Sequence, residues 1–120
     1  MRYHQDVAET SHVDHLAEYC PRYEHAMSLL GKRWTGMLVR TLLDGPRRYG
    51  ELAAASDISD RVLSERLKEL ETEGLLARSV DPGPPVRVSY ALTKKGEGLW
   101  KVVEEIGKWA DRWLDGEREG

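Results

Sequence analysis

Residues 59–74 constrain the chain more tightly than any other stretch. Ser59 offers an oxygen to the amides of a first helical turn, Asp60 follows where the helix dipole favours a carboxylate, and Gly74 suits the residue at which a helix closes. Between them Leu63, Leu67 and Leu70 fall at i, i+4 and i+7, one apolar stripe of a helix. After Gly74 the period drops from about 3.6 to about 2. Leu76, Arg78 and Val80 alternate with smaller residues, Asp81-Pro82-Gly83-Pro84-Pro85 cannot be helical, and Val86, Val88, Tyr90 and Leu92 alternate again. The expectation is a capped helix running into a two-stranded hairpin.

The flanks read as helices. Upstream, His12–Tyr19 is a short helix, and Pro21 sits in the first turn of another over Arg22–Leu30, with Tyr23, Met27 and Leu30 on one face and Gly31 closing it in a left-handed conformation. Trp34, Leu38 and Leu42 fall at i, i+4 and i+8 of a further helix, with Met37 and Thr41 beside them, ended by Gly45-Pro46. Glu51–Ala55 forms a short helix that breaks at Ser56-Asp57. Downstream, Thr93 caps a final helix of about 20 residues. In it Leu99, Val103, Ile106, Ala110 and Trp113 follow a 4-3-4-3 seam, Val102 and Trp109 widen the stripe, and Trp100 lies off it. One thin domain cannot cover that much apolar surface, so a partner helix is expected on Leu99, Val103, Ile106, Trp109, Ala110 and Trp113.

Composition narrows the function classes. With 120 residues, 40% hydrophobic and 32% charged, the chain suits a single folded domain and excludes wholesale disorder. One cysteine, Cys20, cannot close an intramolecular disulfide. No uncharged apolar run approaches the roughly 18–20 residues of a membrane span, and the amino terminus lacks a leader-like stretch, so a cytoplasmic location is expected. Net charge is -3. Lys plus Arg against Asp plus Glu runs 5 to 6 over residues 1–44, 9 to 8 over 45–95, and 4 to 7 over 96–120. That balance permits a DNA-binding middle without demanding one.

Helix, turn, helix and hairpin in this order make a winged helix-turn-helix, mainly α with a small β-hairpin wing. With the leucines inward, Arg61, Glu65, Lys68 and Thr72 lie on the opposite face, flanked by Val62 and Glu69. Recognition helices are read from their first turns, so Ser59, Arg61, Val62 and Glu65, with Lys68, are the candidate base readers. An arginine bonds guanine twice, a glutamate accepts from the cytosine amino group, and a valine rests on a thymine methyl. Arg47, Arg48, Arg66, Arg78 and Arg87 fall where phosphates would run. The blander reading pairs Arg66 with Glu69 or Glu73 and Arg78 with Asp81. It leaves open a winged-helix protein-interaction module that never grips DNA.

Cys20-Pro21, Leu30-Gly31-Lys32-Arg33-Trp34 and Leu43-Asp44-Gly45-Pro46-Arg47-Arg48-Tyr49-Gly50-Glu51-Leu52 resemble the HxlR-type family of bacterial winged-helix transcriptional regulators. So do Ile58-Ser59, Leu63 through Glu71, Gly74-Leu75, Pro84-Pro85, Val88 through Thr93 and Gly96, in the same order. The resemblance covers about residues 18–114. It leaves residues 1–17 as an amino-terminal arm and 115–120 as a tail. It implies a homodimer related to MarR-type regulators, joined through N- and C-terminal helices, that binds a pseudo-palindromic operator, as a repressor in the preferred reading. Tyr49 stands where the family often has Phe. Val86 separates Pro85 from Arg87, where the family more often has arginine directly after its prolines.

The resemblance also implies a redox role for Cys20, since similar regulators include thiol sensors with a cysteine near this position. Arg22 and His25 would favour its thiolate, and an intersubunit disulfide or an adduct is the chemistry open to one thiol. The bland reading is an inert packed thiol. A small-molecule effector is the other expected switch, with Trp34, Trp100, Trp109 and Trp113 as candidate pocket walls against a stronger reading as packing. His12, His15, Cys20 and His25 include a His-x-x-His pair but no clear fourth ligand, so no metal is expected. Ser56, Ser59 and Ser64 are accounted for by capping and turns, and no Gly-rich phosphate loop follows a strand, so neither an enzyme nor a cofactor is expected.

Overall fold

The computed structural model describes residues 9–114, with side chains from Cys20 onward, so residues 1–8, the 115–120 tail and the side chains of His12 and His15 lie outside the described residues. The chain divides into two compact units between Arg33 and Trp34. In the first, α1 (Glu9–Leu30) is one helix that passes through Pro21, where two shorter helices were expected. An interior proline forfeits one backbone hydrogen bond, yet its fixed φ is helical, so a chain that is helical on both sides can continue. Gly31 does not turn left-handed. Its amide donates to the Met27 carbonyl at 2.7 Å and prolongs the helical pattern. The positive φ, 81°, falls instead on Trp34, which opens the second unit.

Trp34 therefore precedes α2 (Thr35–Leu42) and is not part of its stripe, which Thr35, Leu38, Val39 and Leu42 bury. The chain turns at Gly45 into β1 (Arg47–Arg48), α3 (Tyr49–Ala54), α4 (Asp60–Thr72) and the wing strands β2 (Leu76–Asp81) and β3 (Arg87–Leu92). The expected hairpin is a three-stranded antiparallel sheet in the order β1-β3-β2. Arg47 and Arg48 face Tyr90 and Ser89, while β2 and β3 pair from Leu76↔Leu92 out to Asp81↔Arg87. Two arginines carry no alternating signal, and only the exposed edge of β3 makes them a strand.

One core serves this unit. Leu38, Val39, Leu42, Leu52, Ile58, Leu63, Leu67, Leu70, Leu75, Leu76 and Tyr90 are all buried. The wing narrows away from it: within β2 only Leu76 is buried, and Val80 is exposed.

The final helix is broken. Thr93 caps a single turn, α5 (Lys94–Glu97), its Oγ1 accepting from the Gly96 amide at 3.2 Å. The Leu99 amide reaches back only three residues, to Gly96, before α6 (Trp100–Trp113) begins. A helix tightens in this way where two glycines weaken the regular pattern.

Candidate nucleic-acid interface

The helix expected to read bases is held at both ends. At its start Ser59 Oγ accepts from the Val62 amide at 3.2 Å, and Asp60 occupies the first turn. At its end the Leu75 amide donates to Leu70 O and the Gly74 amide to Glu71 O, with Gly74 at φ +81°. This pair of hydrogen bonds closes a helix on a left-handed glycine, and Leu70 and Leu75 are buried beside it.

α5 locks that end further. Thr93 Oγ1 donates to Gly74 O at 2.6 Å, and Lys95 Nζ donates to Glu73 O at 2.7 Å, setting a cation on the negative end of the α4 dipole. Gly96 lies so close that an added Cβ would stand 2.3 Å from Leu75 O. At the other end α3 contributes Tyr49, whose hydroxyl lies 3.2 Å from Ser64 Oγ and 3.3 Å from Asp60 O. The Tyr49 hydroxyl thus ties α3 to the first two turns of α4.

Held in this way, α4 buries Leu63, Leu67 and Leu70 and leaves Ser59, Arg61, Glu65 and Lys68 exposed, with Val62 half-buried. Arg61 donates to Glu65 Oε2 at 3.1 Å. Arg66 is the exception among the expected DNA-facing cations: its side chain is 18% exposed, 3.6 Å from Glu69 Oε1 and 3.9 Å from Glu65 Oε1. It occupies the ion-pair role of the blander reading.

The remaining arginines belong to the sheet. Arg47 donates to the carbonyls of Gly45 and Pro46 at 3.2 and 3.0 Å, so its guanidinium rests on its own turn. Arg48, Arg78 and Arg87 line one open cleft of about 640 Å³ between the wing and the start of α3, together with Tyr49, Glu51, Val88 and, from α4, Ser64. The Arg48 amide also donates to Glu51 Oε1 at 2.8 Å, fixing the first turn of α3. The sequence marks Thr93 as a helix cap and Ser64 as a capping or turn residue but not their bonds to Gly74 O and the Tyr49 hydroxyl, and it does not mark Lys95. A capping Thr three residues before a Gly was the available signal for Thr93.

The other expected sites fall on other elements. Cys20 is exposed on α1. On α6, Ile106, Trp109 and Trp113 are exposed, while Val103, Ala110 and the preceding Leu99 are half-buried. Trp100 is half exposed, with Lys101 Nζ 5.6 Å from its ring centre. Among the described residues no helix is long and apolar enough to cross a membrane, and no group of three or more His, Cys, Asp or Glu is placed to hold a metal ion.

Known proteins share this arrangement. The model of the HxlR-like helix-turn-helix family matches residues 29–118. YvaP, an uncharacterized HTH-type transcriptional regulator of Bacillus subtilis, is 51% identical over 100 residues, 82% of this chain and 93% of its own. The reduced form of the B. subtilis transcriptional regulator YodB, 47% identical, superposes with a TM-score of 0.69 over 78% of this chain and 93% of that one. YodB has also been solved diamide-treated and quinone-bound. A MarR-family protein from Porphyromonas gingivalis W83, 31% identical, gives a TM-score of 0.72 over 91% of this chain and 96% of its own. With its helix-turn-helix, its wing and these relatives, the chain belongs to the HxlR-like family of DNA-binding transcriptional regulators.

Proposed function

We propose that this regulator binds a pseudo-palindromic operator as a homodimer, represses transcription in the cytoplasm, and has no catalytic role. Residues 18–114 are its working domain, between an arm at 1–17 and a tail at 115–120. In this reading Ser59, Arg61, Val62, Glu65 and Lys68 face base edges. Arg48, Arg78 and Arg87 hold phosphates, with Arg47 and Arg66 as secondary contacts because both are engaged within the chain. The observation that carries it is the polar face of α4: exposed along its length, while the opposite face is sealed in the core. A recognition helix needs both properties, since the buried stripe fixes the angle at which the exposed one enters the groove.

The dimer is assigned to α6 and the residue before it, through Leu99, Val103, Ile106, Trp109, Ala110 and Trp113. The switch is assigned to a thiol oxidant acting at the exposed Cys20, or to a small-molecule effector. The diamide-treated and quinone-bound forms of YodB support an oxidant-type signal.

Titrating a labelled duplex at several salt concentrations tests the reading. The logarithm of affinity falls linearly with the logarithm of salt, by about 0.9 per phosphate contact. No binding, or a flat response, returns the protein to the interaction-module reading. Arg61→Ala costs about 1–3 kcal/mol and relaxes preference at one base position; an equal loss on every sequence would place Arg61 on phosphate only. Operator affinity that is identical for reduced, oxidised and Cys20→Ser protein would end the thiol assignment.

A further inference from the structure

α4 and the wing cleft carry their positive charge in different states. Both arginines of α4 are held by carboxylates of the same helix. Glu65 is shared between them, its Oε2 3.1 Å from Arg61 and its Oε1 3.9 Å from Arg66, and Arg66 is held again by Glu69. Asp60, Glu65, Glu69 and Glu71 outnumber Arg61, Arg66 and Lys68 along the helix, so its own charge is -1. Arg48, Arg78 and Arg87, by contrast, make no ion pair among the described residues and converge on one cleft. The arginines of the face that would meet bases are thus tied to carboxylates, with Lys68 the cation of that helix outside these pairs, while the cleft beside it gathers three arginines against the single carboxylate of Glu51.

We infer that Glu65 is a specificity gate: it holds Arg61 away from phosphates and releases it only where the bases offer partners to both side chains. The inference rests on the base-reading role proposed for α4. The physics is an exchange. Non-specific affinity comes from cations that release counterions from phosphate, so a tied-up arginine adds little to it. An exposed i,i+4 pair is weak enough to be given up when something better is available. With Arg61 and Glu65 76% and 50% exposed, the pair is open to that exchange. At a matching site a guanine edge takes Arg61 and a cytosine amino group takes Glu65, so both charges are satisfied at once. Elsewhere the carboxylate meets base acceptors or phosphates and repels them. Discrimination by a built-in repulsive group is a general way to lower affinity for the wrong partner while sparing the right one. The wing arginines supply the attraction that this arrangement withholds from α4.

The test uses the full-length protein, a duplex selected in vitro by the wild type, and a scrambled duplex of equal length and composition. Glu65→Gln frees Arg61 for a phosphate. On the scrambled duplex its log–log salt slope steepens by about 0.9, and at 0.1 M salt affinity rises about eightfold, the factor one further released counterion contributes at that slope. Affinity for the selected duplex does not rise by that factor, so the ratio between the two duplexes falls several-fold. Glu65→Ala, which removes the carboxylate without adding an amide, repeats the steepening and guards against a peculiarity of the glutamine. In an Arg61→Ala background neither change alters the slope, because the other arginine that Glu65 touches, Arg66, stays paired with Glu69. An unchanged slope and ratio in both variants, or a slope change that persists without Arg61, overturns the gate while leaving DNA binding intact. Wild-type protein that binds neither duplex in a salt-dependent way overturns the underlying reading instead.

Discussion

Leu63, Leu67 and Leu70 on α4 and Val103, Ile106, Trp109, Ala110 and Trp113 on α6 follow the same helical spacing and meet opposite fates. The α4 leucines are at most 1% exposed, whereas Ile106, Trp109 and Trp113 are each more than half exposed and no residue of α6 is buried. The period of an apolar stripe establishes that a helix has a face, not what covers it. α4 is covered by its own chain: its leucines belong to one buried core with Leu38, Val39 and Leu52 of the helices before it and Leu75 and Leu76 after it, while α5 bonds back to its end. Within the described residues of the second unit only Leu114 follows α6, and α2 touches the helix without burying any residue of it. Its stripe waits for a surface from elsewhere, which the proposed dimer supplies as a second copy.

Removing apolar atoms from the covered stripe makes the largest change this comparison anticipates. Leu67→Ala leaves a void in a core where the wild-type side chain is fully buried, and destabilises the fold by about 2–5 kcal/mol, read as a drop in denaturant midpoint at unchanged slope. A loss under about 1 kcal/mol would mean that α4 is less firmly packed than its burial implies.

Next comes the lock at the end of the same helix. Gly96→Ala puts a methyl 2.3 Å from Leu75 O and 2.9 Å from Leu92 Cδ2, so α5 has to back away from the α4 terminus, at about 1–3 kcal/mol. If hydrogen exchange at the Leu75 and Thr93 amides stayed as slow as in the wild type, α5 would not be what holds that turn. Ser59→Ala removes the acceptor for the Val62 amide and costs about 1 kcal/mol, while Ser59→Asp keeps it. Equal melting of the two variants would show that the cap is dispensable.

These contrasts also mark how far the sequence could be read. The stripe, cap and terminal glycine of α4 were legible because each is a local signal, and Leu63, Ser59 and Gly74 stand where their chemistry demands. β1 was not, since Arg47 and Arg48 become a strand only by pairing with Tyr90 and Ser89, some 40 residues on. The break between α5 and α6 was hidden by a 4-3-4-3 pattern running through Leu99, although Gly96 and Gly98 flanked the place. α1 defeated the ordinary rule for Pro21 because a proline in a long helix costs only part of what its neighbours supply. At the interface the exposure of Arg61 and Glu65 followed from periodicity, whereas their mutual pairing, the engagement of Arg66 and the convergence of Arg48, Arg78 and Arg87 depend on side-chain placement.

The smallest effect on the chain's own stability is expected at the uncovered stripe, and it decides what the stripe is for. Ile106 and Trp113 are exposed, so replacing both with glutamate deletes few contacts within one chain and changes its intrinsic unfolding free energy by about 0.5 kcal/mol or less. Association is another matter. Two carboxylates buried without partners in a helix-to-helix contact are prohibitively costly, so the double variant sediments as a monomer. Mass action gives an independent signature, because a chain stabilised by a second copy melts at a temperature that rises with protein concentration. The wild type should show that rise and the double variant should not. A wild-type melt independent of concentration, with monomeric sedimentation in both proteins, would leave the α6 face uncovered by a second copy, and the contrast between the two helices would no longer point to a dimer.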